Sequence, residues 1–421
     1  MKTILMSATA CLPNSGSEAG VGWNVVKNMS HYYNVIVFTR ENNKQKIQEY
    51  LSLHPVANLH FEYYDIPKCI RWIFFTKKKL FRNRALVYDF IWHLMSIPKF
   101  KKIAKQSNAV LAHHVNQCQY RILSPCYALK IPTVYGPLGG AETLNTAFYQ
   151  DLEKKTINKE NKRRKGKDRA LFLFYQKISD GKKVFLFSCR ENYNRLKDYV
   201  LAGSCTRIVP SIAYEESAFS KYKMKAVDKS KPFTLIYAGK LFDWKGIELF
   251  LKAANRAFDK QSNVIIRLIG IRDEDDKKKV KSWIDGTDIV DKIEMIDFMP
   301  HDELIRELIE ADLFVYPAFR DSGAMAVLEA CALGCPTICF DAGGQDIFPD
   351  DMILKVKVYN SYRENQDAFS EKLFYAFTHR EEIHKMGNAI QRYVREHFTW
   401  QNKIQTFLKI YDEILDSSCI K

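Results

Sequence analysis

A chain of 421 residues exceeds the size at which a single hydrophobic core usually stops growing, so two domains are expected. With 47% hydrophobic and 27% charged residues it is an ordinary globular chain, which excludes fibrous and disordered classes. The net charge of +15 is uneven: residues 1–210 hold 34 Lys+Arg and 14 Asp+Glu, residues 211–421 hold 30 and 35, so the halves are expected to meet different partners.

Residues 3–6 read as the first strand of a sheet, because the apolar run there is too short for a signal segment. A glycine-bearing loop over 13–22 follows, then a helix through Val25 and Val26. Further strands are expected at 34–39, 109–113, 132–135, 182–188 and 207–209, with a helix at 190–199. This alternation predicts a parallel sheet covered by helices on both faces. A polar, lysine-rich connector over 211–231 marks the domain boundary. Beyond it come strands at 234–238, 264–269, 293–296, 313–316 and 337–340, with helices at 246–258 and 302–310. The end of the chain has apolar residues at 404, 407, 408, 411 and 415, one face of a long helix. That period alone leaves open which domain the helix packs on.

Several classes fall away. No stretch approaches the ~18 uninterrupted apolar residues of a membrane span. Ten cysteines without a short-range disulfide framework indicate a reduced, cytosolic protein. Cys331, Cys335 and Cys339 are spaced evenly but fall on helix, turn and strand, which favours core packing over metal binding.

The chemistry concentrates at strand ends. The stretch from Asp312 to Phe340 joins a strand to a helix expected from about 322 to 333, stopped by Gly334 with Pro336 beyond. Asp321 stands at the strand's carboxyl end beside backbone N–H groups expected to be free at Gly323, Ala324 and Met325, an anion site in form. Glu329 lies two turns on, placed to accept a pair of hydroxyls. An Asp in that position also ordinarily caps the helix. Lys240 and Lys245 flank a loop after the first strand of the second half and could hold a diphosphate as point charges. In a doubly wound sheet, ligands bind beyond the carboxyl ends of the strands.

In order, Ala238-Gly-Lys-Leu through Lys245-Gly246, then Asp297-Phe-Met-Pro-His-Asp-Glu-Leu304, then Asp312-Leu-Phe-Val-Tyr-Pro317 with Leu328-Glu-Ala330 and Gly334-Cys-Pro336, resemble the retaining nucleotide-sugar glycosyltransferases of the GT-B fold, family four. The resemblance covers most of 232–345 and extends more weakly to Gly16–Gly22 and to the closing helix. It implies an α/β fold of two Rossmann-like doubly wound domains facing across a cleft. The expected division is 1–210 as acceptor domain, with the helix 398–421 packing back on it, and 211–397 as nucleotide-sugar donor domain. By the resemblance, Lys240 and Lys245 hold the donor diphosphate, Glu329 takes the ribose hydroxyls, and Asp321 faces the donor sugar. Two positions depart from the family's pattern: Lys240 where Arg is common, and Asp321 where a glutamate opens the signature. Phe298 and Met299 would line the base pocket, and the glycines from Gly16 would form a flexible loop over the phosphates.

In the first half, Tyr135-Gly-Pro-Leu-Gly-Gly-Ala-Glu142 follows another strand end, so Gly139, Gly140 and Glu142 are candidates for the acceptor side of the cleft. Ala112-His-His-Val115 ends a strand, and His113 or His114 would border the reaction centre, strand alternation leaving open which. No Asp-x-Asp metal motif stands in a plausible place, so the expectation is metal-independent, retaining transfer with no cofactor, Lys245 and Asp321 acting at the reaction centre.

Residues 68–105 hold eleven Lys+Arg against the single acid Asp89, interleaved with aromatics such as Trp72, Phe81, Phe90 and Trp92. This mixture suits an anionic membrane surface carrying a lipid-linked acceptor. The run 151–169, nearly free of apolar residues, reads as a solvated loop. The partners expected are therefore a nucleotide-sugar donor, a glycan or lipid-linked acceptor and an anionic membrane, at the inner face of the plasma membrane. Nucleic acid is not expected, since neither paired sheet aromatics nor a recognition helix is present. The function expected is hexosyl transfer in polysaccharide or lipopolysaccharide biosynthesis. The alternatives are a sugar-nucleotide epimerase or a non-catalytic subunit of the same fold, and more remotely a basic nucleic-acid-binding protein.

Overall fold

The structure, a computed structural model, describes residues 1–76, 84–166, 168–178 and 181–416. Its strands are β1 Thr3–Ser7, β2 Asn34–Arg40, β3 Leu59–Tyr64, β4 Leu111–His114, β5 Thr133–Leu138, β6 Lys183–Phe187 and β7 Cys205–Ile208 in the first sheet. The second sheet holds β8 Phe233–Ala238, β9 Val264–Ile271, β10 Ile293–Asp297, β11 Leu313–Tyr316, β12 Thr337–Phe340 and β13 Leu354–Val356. The orders are β3-β2-β1-β4-β5-β6-β7 and β10-β9-β8-β11-β12-β13, with parallel pairing throughout. Each order reverses once, between β1 and β4 and between β8 and β11, and such a reversal opens a crevice beyond the strand ends. The central strands are apolar and buried on both faces, as in a parallel sheet clad by helices. The α/β fold of two Rossmann-like halves is thereby observed.

The chain divides into two compact units, residues 1–141, 166–211 and 400–421 in one and 142–165 and 212–399 in the other. The helix Trp400–Leu415 thus belongs to the first unit. Its Tyr411 lies within hydrogen-bonding distance of His113 on β4, and Phe407 packs edge-on against the same imidazole. Residues 142–165, which precede the connector by almost fifty positions, belong to the second unit. They form the turn Thr146–Asp151 and the helix Lys154–Arg164, so the solvated loop expected there is corrected. Leu144, Phe148 and Leu152 enter the core of the second unit, and Thr156 and Glu160 are buried.

Cys331, Cys335 and Cys339 are all buried in a second hydrophobic cluster of the same unit. The basic segment forms the helices Lys68–Thr76 and Arg84–Gln106. Trp92 and Phe100 face inward, whereas Trp72, Phe90 and Leu94 are exposed. Lys77, Lys78, Lys79 and Phe81 lie outside the described residues. Among the described residues, no helix is long and apolar enough to cross a membrane.

Candidate functional site

The second unit's reversal point gathers most of the charged candidates. β8 ends at Ala238, and the short turn Asp243–Lys245 follows, so Lys245 is delivered beside the end of β11. Its Nζ donates to the Tyr316 hydroxyl and to Asp321 Oδ2, each at 2.7 Å. The Tyr316 hydroxyl donates in turn to the same carboxylate oxygen. The other oxygen, Oδ1, accepts from the backbone N–H of Gly323 at 3.1 Å and of Ala324 at 3.4 Å. Burial works to raise the Asp321 pKa, but Lys245, Tyr316 and the Gly323 amide outweigh it and hold the carboxyl at about 2. Asp321 is therefore a carboxylate throughout the physiological range, with its cation attached. Burial, and then Asp321, push the Tyr316 hydroxyl up, so it remains a donor.

This arrangement revises the expectation of free amides. Two of the three N–H groups named are taken by Asp321 itself, which caps the loop as a short carboxylate ordinarily does. The helix starts later than expected, at Met325 instead of about 322, because Ala324 adopts a left-handed conformation with φ of 47°. It ends on Gly334, also left-handed, whose amide bonds back to Ala330 and Cys331.

Glu329 lies a quarter exposed on this helix and pairs with His301 Nε2 at 3.2 Å. The hydrogen bond to Glu329 raises the His301 pKa against the opposing effect of burial. Lys240 is exposed, and its carbonyl accepts from Tyr237. Phe298 projects into solvent at 84% exposure, while Met299 packs on the core. Lys245, Gly323 and Ala324 thus all converge on the Asp321 carboxylate. Glu329 is held on the helix that follows, about one turn past its start at Met325, and Lys240 and Phe298 are not drawn in.

Sequence reasoning passed over several residues of this site. Tyr316 reads as one more apolar strand position, and His301 sits in a recognised stretch without an assigned role. Gly343 and Gly344 follow β12, and the Gly344 amide donates to the Asp321 carbonyl at 2.6 Å. A Cβ on Gly343 would lie 2.5 Å from that same carbonyl, so only glycine permits the approach. Paired glycines directly after a strand end were the available signal.

The first unit's candidates are placed differently. The helix Ser17–Met29 takes in Gly20 and Gly22, so the flexible glycine loop is corrected: only Gly16 precedes the helix. A Cβ on Gly22 would meet the Ala10 carbonyl at 2.2 Å, so this glycine serves close packing rather than flexibility. His113 is fully buried, with Nδ1 at 2.5 Å from the Tyr411 hydroxyl and Nε2 at 2.9 Å from the Gly136 carbonyl. Burial brings its pKa down to about 4 and that of His114, also buried, to about 3. Gly139 and Gly140 follow β5 in this unit. Glu142 is counted with the second, where its buried carboxylate accepts from the Ser322 hydroxyl.

Residues 219–393 match the family model described as Glycosyl transferases group 1. An uncharacterized glycosyltransferase of Methanocaldococcus jannaschii is 19% identical over 246 residues, which span 57% of this chain and 58% of that relative. Among solved structures, sucrose-phosphate synthase from Thermosynechococcus elongatus superposes with a TM-score of 0.63 at 14% identity, covering 99% of this chain and 100% of the other. HepE of Anabaena, solved in complex with UDP and glucose, gives 0.60 at 12% identity, covering 98% and 100%. The two parallel sheets with their central reversals and these full-length superpositions agree on the fold, that of the GT-B glycosyltransferases, and residues 219–393 of the second unit are similar to the group 1 glycosyltransferases.

Proposed function

We propose that the protein transfers a hexosyl unit from a nucleoside-diphosphate sugar to a glycan or lipid-linked acceptor, with retention and without a metal ion. The observation that carries this reading is the Lys245–Asp321 pair at the β8/β11 reversal, a cation and a carboxylate held together beside a helix start. Departure of a nucleoside diphosphate from an anomeric carbon builds negative charge on the leaving phosphate. A fixed ammonium and the end of a helix stabilise such charge in a site that excludes bulk water. Lys240 adds a second cation, Asp321 faces the sugar, and Glu329 accepts the ribose hydroxyls. The leaving phosphate itself helps to deprotonate the acceptor hydroxyl.

Uridine is the first base to test, because the Anabaena structure holds UDP with glucose. Thermal melting with a panel of nucleotide sugars should show stabilisation by one donor, since a ligand bound to the native state raises its apparent stability. That donor should be hydrolysed slowly by the purified protein, equally with and without chelator. Failure of every donor to stabilise the protein would remove the reading.

The acceptor is proposed to be lipid-linked, at the inner face of the plasma membrane, in cell-surface glycan synthesis. Exposed Trp72, Phe90 and Leu94, on helices that also carry Lys68, Arg71 and Arg84 and, at the end of the second, Lys99, Lys101, Lys102 and Lys105, support this, because each Lys or Arg near an anionic surface contributes roughly 1 kcal/mol. Sedimentation with anionic vesicles should pull the protein down at low salt and release it at high salt. Equal binding to neutral vesicles would count against the charge-based account.

A further inference from the structure

Within the second unit, the segment 142–165 packs against the loop that carries Asp321. Asp321 lies within Phe319-Arg-Asp-Ser322, and each of the other three side chains in that run is held by this segment. The Phe148 ring stacks on Phe319 with centroids 4.0 Å apart and planes within 6°. Glu160 accepts from Arg320 Nη1 at 2.5 Å, and Glu142 accepts from the Ser322 hydroxyl. Glu142 and Glu160 are each only 1% exposed.

The segment is fastened along its length. Glu160 also accepts from the Leu144 amide at 3.2 Å and lies 3.6 Å from Arg163. Asp151 accepts from the Tyr362 hydroxyl at 2.7 Å, and the Glu153 amide donates to Asp243 at 2.9 Å. On its far side the Asp321 loop rests on Gly343 and Gly344.

We propose that residues 142–165 form a strap that positions the donor site: by holding Phe319, Arg320 and Ser322, they set the register of Asp321 and of the amides that follow it. This rests on the donor reading given above and extends it to Phe148, Glu142 and Glu160, which are positioning residues. A buried ion pair is a costly way to stabilise a fold, since apolar replacements of similar volume often do as well. It is an effective way to fix one geometry, and a shift of about 1 Å at a site can cost on the order of 10²-fold in rate. Placing two buried carboxylates on either side of Asp321 fits the second purpose.

The full-length protein with Glu160→Gln, Arg320→Gln and the double variant tests this by two independent readings. The first is the dissociation constant for UDP, and the second is amide hydrogen exchange over 319–325. Each single variant should weaken UDP binding at least tenfold and speed exchange at Gly323 and Ala324 at least tenfold; each should also lower the melting temperature, because it leaves one partner of a buried ion pair uncompensated. The double variant should fall short of the product of the two. Ser322→Ala, which removes one hydroxyl, should give the same effects more weakly and serves if the charge variants do not fold. Unchanged affinity and exchange in the folded variants would overturn the strap. If the wild type fails to bind UDP, the uridine donor reading fails, and the exchange measurement alone still decides the strap.

Discussion

The two reversal points share a topology and differ in what their strand ends carry. After β8 and β11 stand Lys245 and Asp321, about a fifth and a quarter exposed, satisfied by one another and by a tyrosine. At β1 and β4 stand Ser7, His113 and His114, all buried, with both nitrogens of His113 already engaged by Tyr411 and Gly136. A reversal point alone therefore does not make a site. A group there must keep a charge, remain partly exposed and be held by contacts that a ligand can share. The pair in the second unit meets all three conditions, whereas His113 has been committed to holding the C-terminal helix.

Loss of Lys245 should have the largest consequence. Lys245→Ala should lower sugar transfer by at least ~10²-fold, the scale for removing one stabiliser of developing charge. Near-ultraviolet circular dichroism should remain native. His113→Phe should do the reverse, costing about 1–3 kcal/mol by leaving the Tyr411 hydroxyl buried without its partner. Transfer per folded molecule should then stay within a few-fold of wild type. Normal transfer by Lys245→Ala would erase the distinction between the two strand ends.

Acid should act differently on the two strand ends, because both carry depressed pKa values that act in different windows. His113 and His114 are neutral when folded, titrating at about 4 and about 3 against an ordinary 6.5 because burial disfavours the cation. The unfolded chain binds those protons first, so their contribution is present above pH 6.5 and is lost as pH falls toward 4. Asp321, at about 2 against an ordinary 3.8, contributes fully above pH 3.8 and loses that contribution only between there and 2. Each buried histidine is worth on the order of 3–5 kcal/mol over its window, and Asp321 on the order of 2 kcal/mol. On lowering pH from 7 to 4.5, amide protection should therefore fall at β1 and β4 while it persists at β8 and β11. Equal loss in both sheets at pH 4.5 would contradict the assignment of these groups.

Much of this was legible in the sequence, and the exceptions have physical causes. Central strands buried on both faces are short unbroken apolar runs, so β11 and β12 match expectation residue for residue. The edge strands β3 and β13 are not expected from the sequence: one is interrupted by His60 and Glu62, and the other spans only three residues. Lys245, Asp321 and Glu329 could be picked out because they follow strand ends in a known order. The strap could not. Glu160 looks solvated among lysines and arginines, and the residue that buries it, Arg320, lies 160 positions further on. Likewise Tyr316 and His301 gain meaning only from the carboxylates they touch.

The smallest effect concerns Ala324, the one residue of this loop in a left-handed conformation. For an L-residue that conformation costs roughly 1–2 kcal/mol. Ala324→Gly would relieve it, while forfeiting about 0.8 kcal/mol of buried methyl and adding freedom to the unfolded chain. The terms nearly cancel, so chemical denaturation should show a net change below about 1 kcal/mol, with donor affinity within twofold. A larger loss of stability would mean that the methyl, packed in the core behind the loop, sets the start of the helix. The Asp321 carboxylate would then be freer to serve the sugar than its two amide hydrogen bonds imply.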